Sequence, residues 1–310
     1  MISPPAQRRD LDNARREDHH RAVSRLFDRQ LGSGVLSQMP TGPGVYRMRD
    51  AAGNVVYVGK AKNLRRRLSQ YRNAKRRKKH LKMRAIVKSA ARVEIEPCAT
   101  ELEAELLEAR LIQELRPKWN VAGAFSFLYP MIGLGESRTG DTILAFSTQP
   151  EERPELEWYG AFRSREITGE AFFALVRLLE RVGHRVPGPA RARGTRTYAF
   201  MLRRIPRVWR DRWAAFMRGE ARDALETLVL RLLESPGARR DATKVQEDID
   251  ALERFHRHEA VRLRVARERT GHEGALVPQA LRDSLFIRAR AVRARGASAA
   301  PAPSREAAGF

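Results

Sequence analysis

The sequence predicts an α/β (α+β) protein: a small three-stranded sheet flanked by helices, then a small mixed region and a helical C-terminal region. Three observations carry this reading. Two short apolar runs, Gly44–Met48 and Val55–Gly59, bracket the turn-forming cluster Asp50-Ala51-Ala52-Gly53-Asn54, the pattern of a β-hairpin. Arg92-Val93-Glu94-Ile95-Glu96 alternates and supplies a third strand. Residues 198–290 are rich in leucine, alanine and arginine at helical spacing. Five segments follow: a polar extension at 1–37, the sheet-bearing domain at 38–121, a mixed segment at 122–186, a helical region at 187–290 and a disordered tail at 291–310.

In the hairpin, a turn centred on Ala52 sets Tyr46 and Tyr57 on one face, with Met48 and Val55 beside them. Val45, Val56 and Val58 point the other way. A helix is expected from Ala61 to Tyr71, with Ala61, Leu64, Leu68 and Tyr71 as its packing stripe. Lys60, Arg67 and Tyr71 are seven and four residues apart, so they line up near that stripe. Two cations beside two phenols suit an anion with a reacting oxygen, such as a phosphodiester.

The next segment, RNAKRRKKHLKMR, leads into a second helix beginning near Lys79, with Met83, Ile86, Val87 and Ala90 as its apolar face. Lys75, Arg76, Arg77, Lys78, Lys79, Lys82 and Arg84 cluster on the exposed side. This placement fits contact with a nucleic-acid backbone, against the plainer reading of a solvated face. Thr100-Glu101-Leu102-Glu103 is a capping box opening a helix that Pro117 stops. At 100° per residue Glu108 falls among Ala104, Leu111, Ile112 and Leu115, so its carboxylate points inward. A buried carboxylate costs several kcal/mol unless paired. The partner is Arg67 or a divalent cation, or else Glu108 is part of a structural salt bridge.

Together GVY, YVGKAKNLRRRLSQY, LLEARLI and RPKWN resemble the GIY-YIG nuclease family, in the form found at the N-terminus of UvrC-type excinucleases and in the shorter Cho-type homologues. The resemblance covers Met39 to Asn120. It implies a metal-dependent DNA endonuclease with Tyr46, Tyr57, Lys60, Arg67, Tyr71, Glu108 and Asn120 as its catalytic set. Glu108 would hold Mg²⁺ or Mn²⁺. Tyr46 would be the general base, its pKa lowered by Lys60 or the metal. Tyr57 would relay, Arg67 would bind the scissile phosphate and Asn120 would brace the site. Lys62, Arg66, Arg76, Lys79 and Lys82 are the candidate DNA contacts. The family further implies incision on the 3′ side of a lesion in nucleotide excision repair, with damaged duplex DNA as substrate and UvrA and UvrB as candidate partners. Two other classes stay open: a GIY-YIG nuclease acting outside repair on branched or mobile-element DNA, and a non-catalytic DNA-binding protein on the same core.

Composition agrees with a polyanion partner. The 310 residues hold 60 Lys+Arg against 37 Asp+Glu, a formal charge of +23, which favours nucleic acid over a membrane. The single cysteine, Cys98, excludes an internal disulfide framework and fits a cytoplasmic setting. No run is apolar enough to span a bilayer, and the first residues lack a signal-peptide core. His19-His20 reads as solvated side chains rather than a metal site.

Beyond the core, Phe125–Ile132 and Thr142–Phe146 read as strands, Trp158–Phe162 ends in a turn, and Phe172, Phe173, Val176, Leu179 and Val182 mark a helix. This resembles, more loosely, the segment after the nuclease domain in UvrC. There a cysteine cluster follows, but Gly183–Ala190 carries no cysteine, so no iron–sulfur cluster is expected. Pro187, Gly188, Pro189 and Gly194 read as a linker. The helices from Trp213 to Val265 carry a degenerate likeness to the UvrB-interacting hairpin of UvrC, beside the plainer reading of a generic bundle.

Overall fold

The computed structural model describes residues 25–120, 129–191 and 194–298. The chain divides into two units, Met1–Ala124 and Phe125–Phe310. Residues 1–24, with His19-His20, and Phe125–Leu128 lie outside the described residues.

The first unit is built on a three-stranded antiparallel sheet, β1 (Gly44–Arg49), β2 (Val55–Ala61) and β3 (Arg92–Pro97), in the order β2-β1-β3. The hairpin turn closes through Asp50, whose Oδ1 accepts the Asn54 N–H at 2.9 Å. Gly53 supplies the left-handed backbone there, at φ +87°. Pairing runs Met48↔Tyr57 and then Arg49↔Val55, so Val56 is an extra residue on β2. Such a bulge re-aims the side chains around it. It corrects the expected faces: Val56 packs with Tyr46 and Met48, while Val55 packs with Val45 and Val58.

Helices cover both faces. On one side lie α1 (Leu26–Leu31), α2 (Leu64–Arg72) and α3 (Leu81–Ser89), which bury Phe27, Leu31, Leu64, Leu68, Tyr71, Ile86 and Val87 with Tyr46, Met48 and Val56. On the other, α4 (Glu101–Leu115) packs Ala104, Leu111 and Ile112 on Val45 and Val58. The strand β2 runs through Ala61, so α2 starts at Leu64 rather than Ala61. Asn63 caps it, accepting the Arg66 N–H at 2.8 Å. A one-turn 3₁₀ segment, Lys78–His80, precedes α3. The capping box of α4 forms as expected: Thr100 Oγ1 accepts from Glu103 N at 3.1 Å, and Glu103 reaches back to the Ala99 N–H at 2.8 Å. Leu115, expected in the inward arc, is 43% exposed, because the helix ends there. The segment 25–37, read as part of a polar extension with a frayed or docked helix at the sparse apolar points Leu26, Phe27 and Leu31, contributes α1 to this core.

Past Pro117 the chain closes the outer edge of β2. Trp119 N donates to Val56 O at 3.1 Å. The Asn120 amide then mimics a strand residue: Oδ1 accepts from Val58 N and Nδ2 donates to Val58 O, both at 2.8 Å. An edge that would otherwise expose unpaired backbone groups is thereby covered.

The second unit carries a five-stranded antiparallel sheet of β4 (Met131–Glu136), β5 (Thr142–Ser147), β6 (Glu157–Gly160), β7 (His184–Arg185) and β8 (Tyr198–Arg203), ordered β6-β4-β5-β8-β7. The helix α5 (Arg165–Val182), capped by Ser164, buries Phe172, Leu175 and Leu179 against Ile132, Leu144, Phe146 and Phe200. The remaining helices are α6 (Arg207–Arg218), α7 (Asp223–Glu234), α8 (Pro236–Arg240), α9 (Ala242–Phe255), α10 (Val261–Thr270) and α11 (Gln279–Ser298). Two expectations change. Tyr198–Arg203 lies in the region read as helical but is a strand, held by pairing with β5. His184–Arg185, within the segment read as mixed, pairs with β8. The last helix continues to Ser298, into the stretch read as a disordered tail.

Asn120→Ala leaves the buried Val58 N–H and C=O without partners, so the expected loss of unfolding free energy is about 1–3 kcal/mol. A lowered urea midpoint with unchanged slope checks this; an unshifted midpoint contradicts the clamp.

Candidate active site

The site is assembled on the α1–α3 face of the small sheet. Tyr46 projects from β1 and is fully buried. Its ring lies 6.0 Å from Tyr57 on β2 and 5.9 Å from Tyr71 on α2, and those two are 6.3 Å apart. The three rings thus form one aromatic cluster. They can meet because β2 has glycine at position 59. A Cβ there would stand 2.5 Å from the Tyr46 hydroxyl oxygen and 2.9 Å from the Tyr57 ring. The glycine of the second motif is a space requirement: the Tyr46 phenol occupies the volume of the missing side chain.

The phenols are wired to a cation. Tyr46 OH donates to the Tyr71 hydroxyl oxygen at 3.1 Å and accepts from Arg67 Nε at 3.3 Å. Arg67 is half-buried, and its Nη1 donates to Gln70 Oε1 at 2.7 Å. Its guanidinium carbon also lies 5.5 Å from the Tyr71 ring centre, within cation–π range. Burial, with the neighbouring Tyr57 adding to it, pushes the Tyr46 phenol well above the ordinary tyrosine range, while Arg67 and Tyr71 pull the other way. Tyr71 is driven up for the same reason, burial first and the other two tyrosines after it. Both phenols are therefore neutral near pH 7.

Glu108 projects from α4, half-buried, and Oε1 accepts the Lys60 backbone N–H at 3.0 Å. This ties α4 to the end of β2. Burial raises the Glu108 carboxyl above its usual range; the Lys60 N–H and the Lys60 and Arg67 charges oppose this, and Glu105 reinforces it. Oε2 makes no hydrogen bond among the described residues.

Two expected contacts differ. Lys60 was expected to lower the Tyr46 pKa, but its ammonium is held by Glu105 at 2.6 Å. The cation on Tyr46 is Arg67. Arg67 was one expected partner for the Glu108 carboxylate, but the hydrogen bond to that group comes from the Lys60 backbone. Of the surface cations, Lys62 pairs with Glu101 at 2.7 Å, and Arg66, Arg76, Lys79 and Lys82 are exposed. Gly59, Gln70 and Glu105 were missed. Glu105 had a readable signal, three residues before Glu108 on the same helical face. Gly59 and Gln70 act through space and orientation, which a single sequence does not display.

The described residues contain no cluster of three or more His, Cys, Asp or Glu side chains able to hold a metal. A lone carboxylate with a free oxygen fits magnesium, which keeps several waters and takes one or two protein carboxylates beside substrate phosphates.

The profile of the UvrC-like GIY-YIG domain matches residues 42–121. Residues 42–121 are thus a UvrC-like GIY-YIG domain by that match. UvrABC system protein C of Nitrobacter winogradskyi is 40% identical over 143 residues, which is 46% of this chain and 20% of that protein. The counterpart from Rhodopseudomonas palustris is 37% identical over 168 residues, 54% of this chain and 23% of the relative. That from Oleidesulfovibrio alaskensis reaches 53% over 87 residues, 28% of this chain and 12% of the relative. The chain thus aligns with about a quarter or less of these relatives' length. Among solved structures, the N-terminal GIY-YIG endonuclease domain of Thermotoga maritima UvrC, bound to its catalytic magnesium, is 38% identical. That match covers 28% of this chain and 91% of that one, with a TM-score of 0.25. The assignment of that segment rests on the profile and the sequence identities. No helix among the described residues is long and apolar enough to cross a membrane.

Gly59→Ala is expected to expel the Tyr46 phenol from its slot. With ring-labelled tyrosine, the Tyr46 signal should stay flat to about pH 10 in the wild type and move below that in the variant, towards the free value near 10. Identical titration in both contradicts the packing described.

Proposed function

We propose that this protein is a metal-dependent DNA endonuclease that makes an incision beside lesions in excision repair. The observation that carries this reading is the convergence of Tyr46, Tyr71 and Arg67 in one hydrogen-bonded cluster, with Glu108 anchored to the backbone of Lys60 on the same strand as Tyr57. The relatives named for the UvrABC system support the setting, and the magnesium-bound UvrC domain supports the metal.

A divalent cation on Glu108 would supply positive charge to the phosphoryl oxygen and the leaving 3′ oxygen. The chain's own groups do the rest. Arg67, fixed by Gln70, binds a non-bridging oxygen of the scissile phosphate and offsets the charge that develops there. The Tyr46 hydroxyl orients the attacking water and takes its proton. Because burial holds this phenol neutral, it becomes a base only when cationic charge at the site stabilises the phenolate. Tyr71, bonded to the same oxygen, holds the hydroxyl in position, and Tyr57 closes the cluster. Lys60, neutralised by Glu105, orients the acidic side of the site through its backbone. Magnesium as the metal, the 3′ side of the lesion as the cut and UvrA and UvrB as partners complete the reading.

The expected effect of Tyr46→Phe or Glu108→Gln is a fall in nicking of at least about 10²-fold, the scale for losing a general base or a metal site. Supercoiled-plasmid nicking with Mg²⁺ measures it. Undiminished cleavage by both variants would refute the assignment. End-labelled lesion duplex, with and without UvrA and UvrB, tests the repair setting: incision confined to the 3′ side and dependent on them is expected, and equal cutting of undamaged or branched DNA opposes it.

The raised Tyr46 pKa sets the pH dependence. The base form is scarce at neutral pH and grows about tenfold per unit, so log kcat/KM should rise with slope near one from about pH 7 to 9. A flat profile contradicts Tyr46 as the base.

A further inference from the structure

Tyr71 also borders a cavity of about 380 Å³. Its walls come from α1 and the residue before it, the end of α2, and the segment running into α3. Six of the lining side chains are cations: Arg25, Arg29, Arg72, Lys75, Arg76 and Arg84. Asp28, bonded to Arg72 Nε at 2.8 Å, is the one carboxylate among the described residues ion-paired with any of them. Two further contacts tie the walls together, Arg25 to the Asn73 side-chain oxygen and Arg84 Nη1 to Ala74 O at 3.2 Å. Like charges held this close repel, and the repulsion is relieved when an anion enters. Two of the six, Arg25 and Arg29, lie outside the basic segment that the sequence singled out, and α1 lies outside the family match at 42–121.

We propose that this cavity seats a second backbone phosphate of the DNA strand whose scissile phosphate lies at Arg67, an inference that rests on the DNA reading above. Placement supports it. Tyr71 and Arg72 follow Arg67 by about one turn of α2, or about 6 Å along its axis at 1.5 Å per residue. A DNA strand rises about 3.4 Å per nucleotide, so the cavity falls about one or two phosphates from the cut. The surroundings favour a polymer over a free anion: Lys78, Lys79 and Lys82 continue the positive surface just outside the cavity, all exposed. That forms a track for an extended backbone. The cavity thus gives the enzyme a register on the strand, with α1 as part of the substrate site.

The test compares Arg29→Ala/Arg76→Ala with Arg29→Lys/Arg76→Lys. Both positions are exposed, so the fold is retained, which thermal melts check. DNA affinity is measured by anisotropy over a KCl series, in full-length protein carrying Glu108→Gln so that the duplex stays intact. Loss of one phosphate contact should lower the log–log salt slope by about 0.9 in the alanine pair. The lysine pair should keep the wild-type slope. In protein with Glu108 intact, the alanine pair should raise KM several-fold with kcat within about twofold. An unchanged slope and KM overturn the inference. Inorganic phosphate that binds wild type but not the alanine pair, while DNA slope and KM are the same in both, assigns the cavity to free phosphate and also overturns it. Binding is read without cleavage, so failure of the nuclease reading, seen as absent nicking by wild type, is distinguishable from failure of this one.

Discussion

The site depends on one packing constraint, a phenol seated where a side chain would otherwise be. Tyr46 lies in the volume that a Cβ on Gly59 would fill, and from there its hydroxyl reaches both Tyr71 and Arg67. The sheet face, the buried stripe of α2 and the reactive oxygen are fixed together. Leu64, Leu68 and Tyr71 hold α2 on the sheet, and that docking sets where Arg67 points. A residue that is structural by burial is thereby also the one proposed as proton acceptor. Its neutral resting state follows from the same burial.

Opposite it, the acidic arm is positioned by backbone rather than by a second ion pair. Glu108 takes the Lys60 N–H, and Lys60's own charge is turned to Glu105. In the proposed reaction this leaves one Glu108 oxygen for a metal and the Arg67 charge for the phosphate. Had Arg67 paired with Glu108, each would have neutralised the other. Asn120 supports this layout from outside, pairing with Val58 two residues before Lys60.

Much of this was readable in the sequence, for physical reasons. The hairpin, the capping box at Thr100 and the stripe of α2 are local patterns, and local patterns survive into the fold. The inward Glu108 followed from helical periodicity. What failed was non-local. The bulge at Val56 exchanges two valines between faces, and nothing in an alternating apolar run announces an extra residue. The choice of Glu105 over the phenols by Lys60 depends on where α4 docks. Tyr198–Arg203 sits in a leucine- and arginine-rich region that reads as helix, and it is a strand because β5 offers it an edge. Phe27 and Leu31 looked sparse in a charged segment, yet two buried side chains are enough to dock a helix of six residues.

The most direct test of the central claim is paramagnetic broadening by Mn²⁺ in the labelled protein, since it reads which groups surround the metal without requiring cleavage. Broadening concentrated on the Lys60 amide, the Arg67 side chain and the Tyr46 ring, and abolished by Glu108→Gln, is the expected result. Broadening spread over surface carboxylates, or left intact by that substitution, would contradict a site in which one acid, one guanidinium and a buried phenol converge.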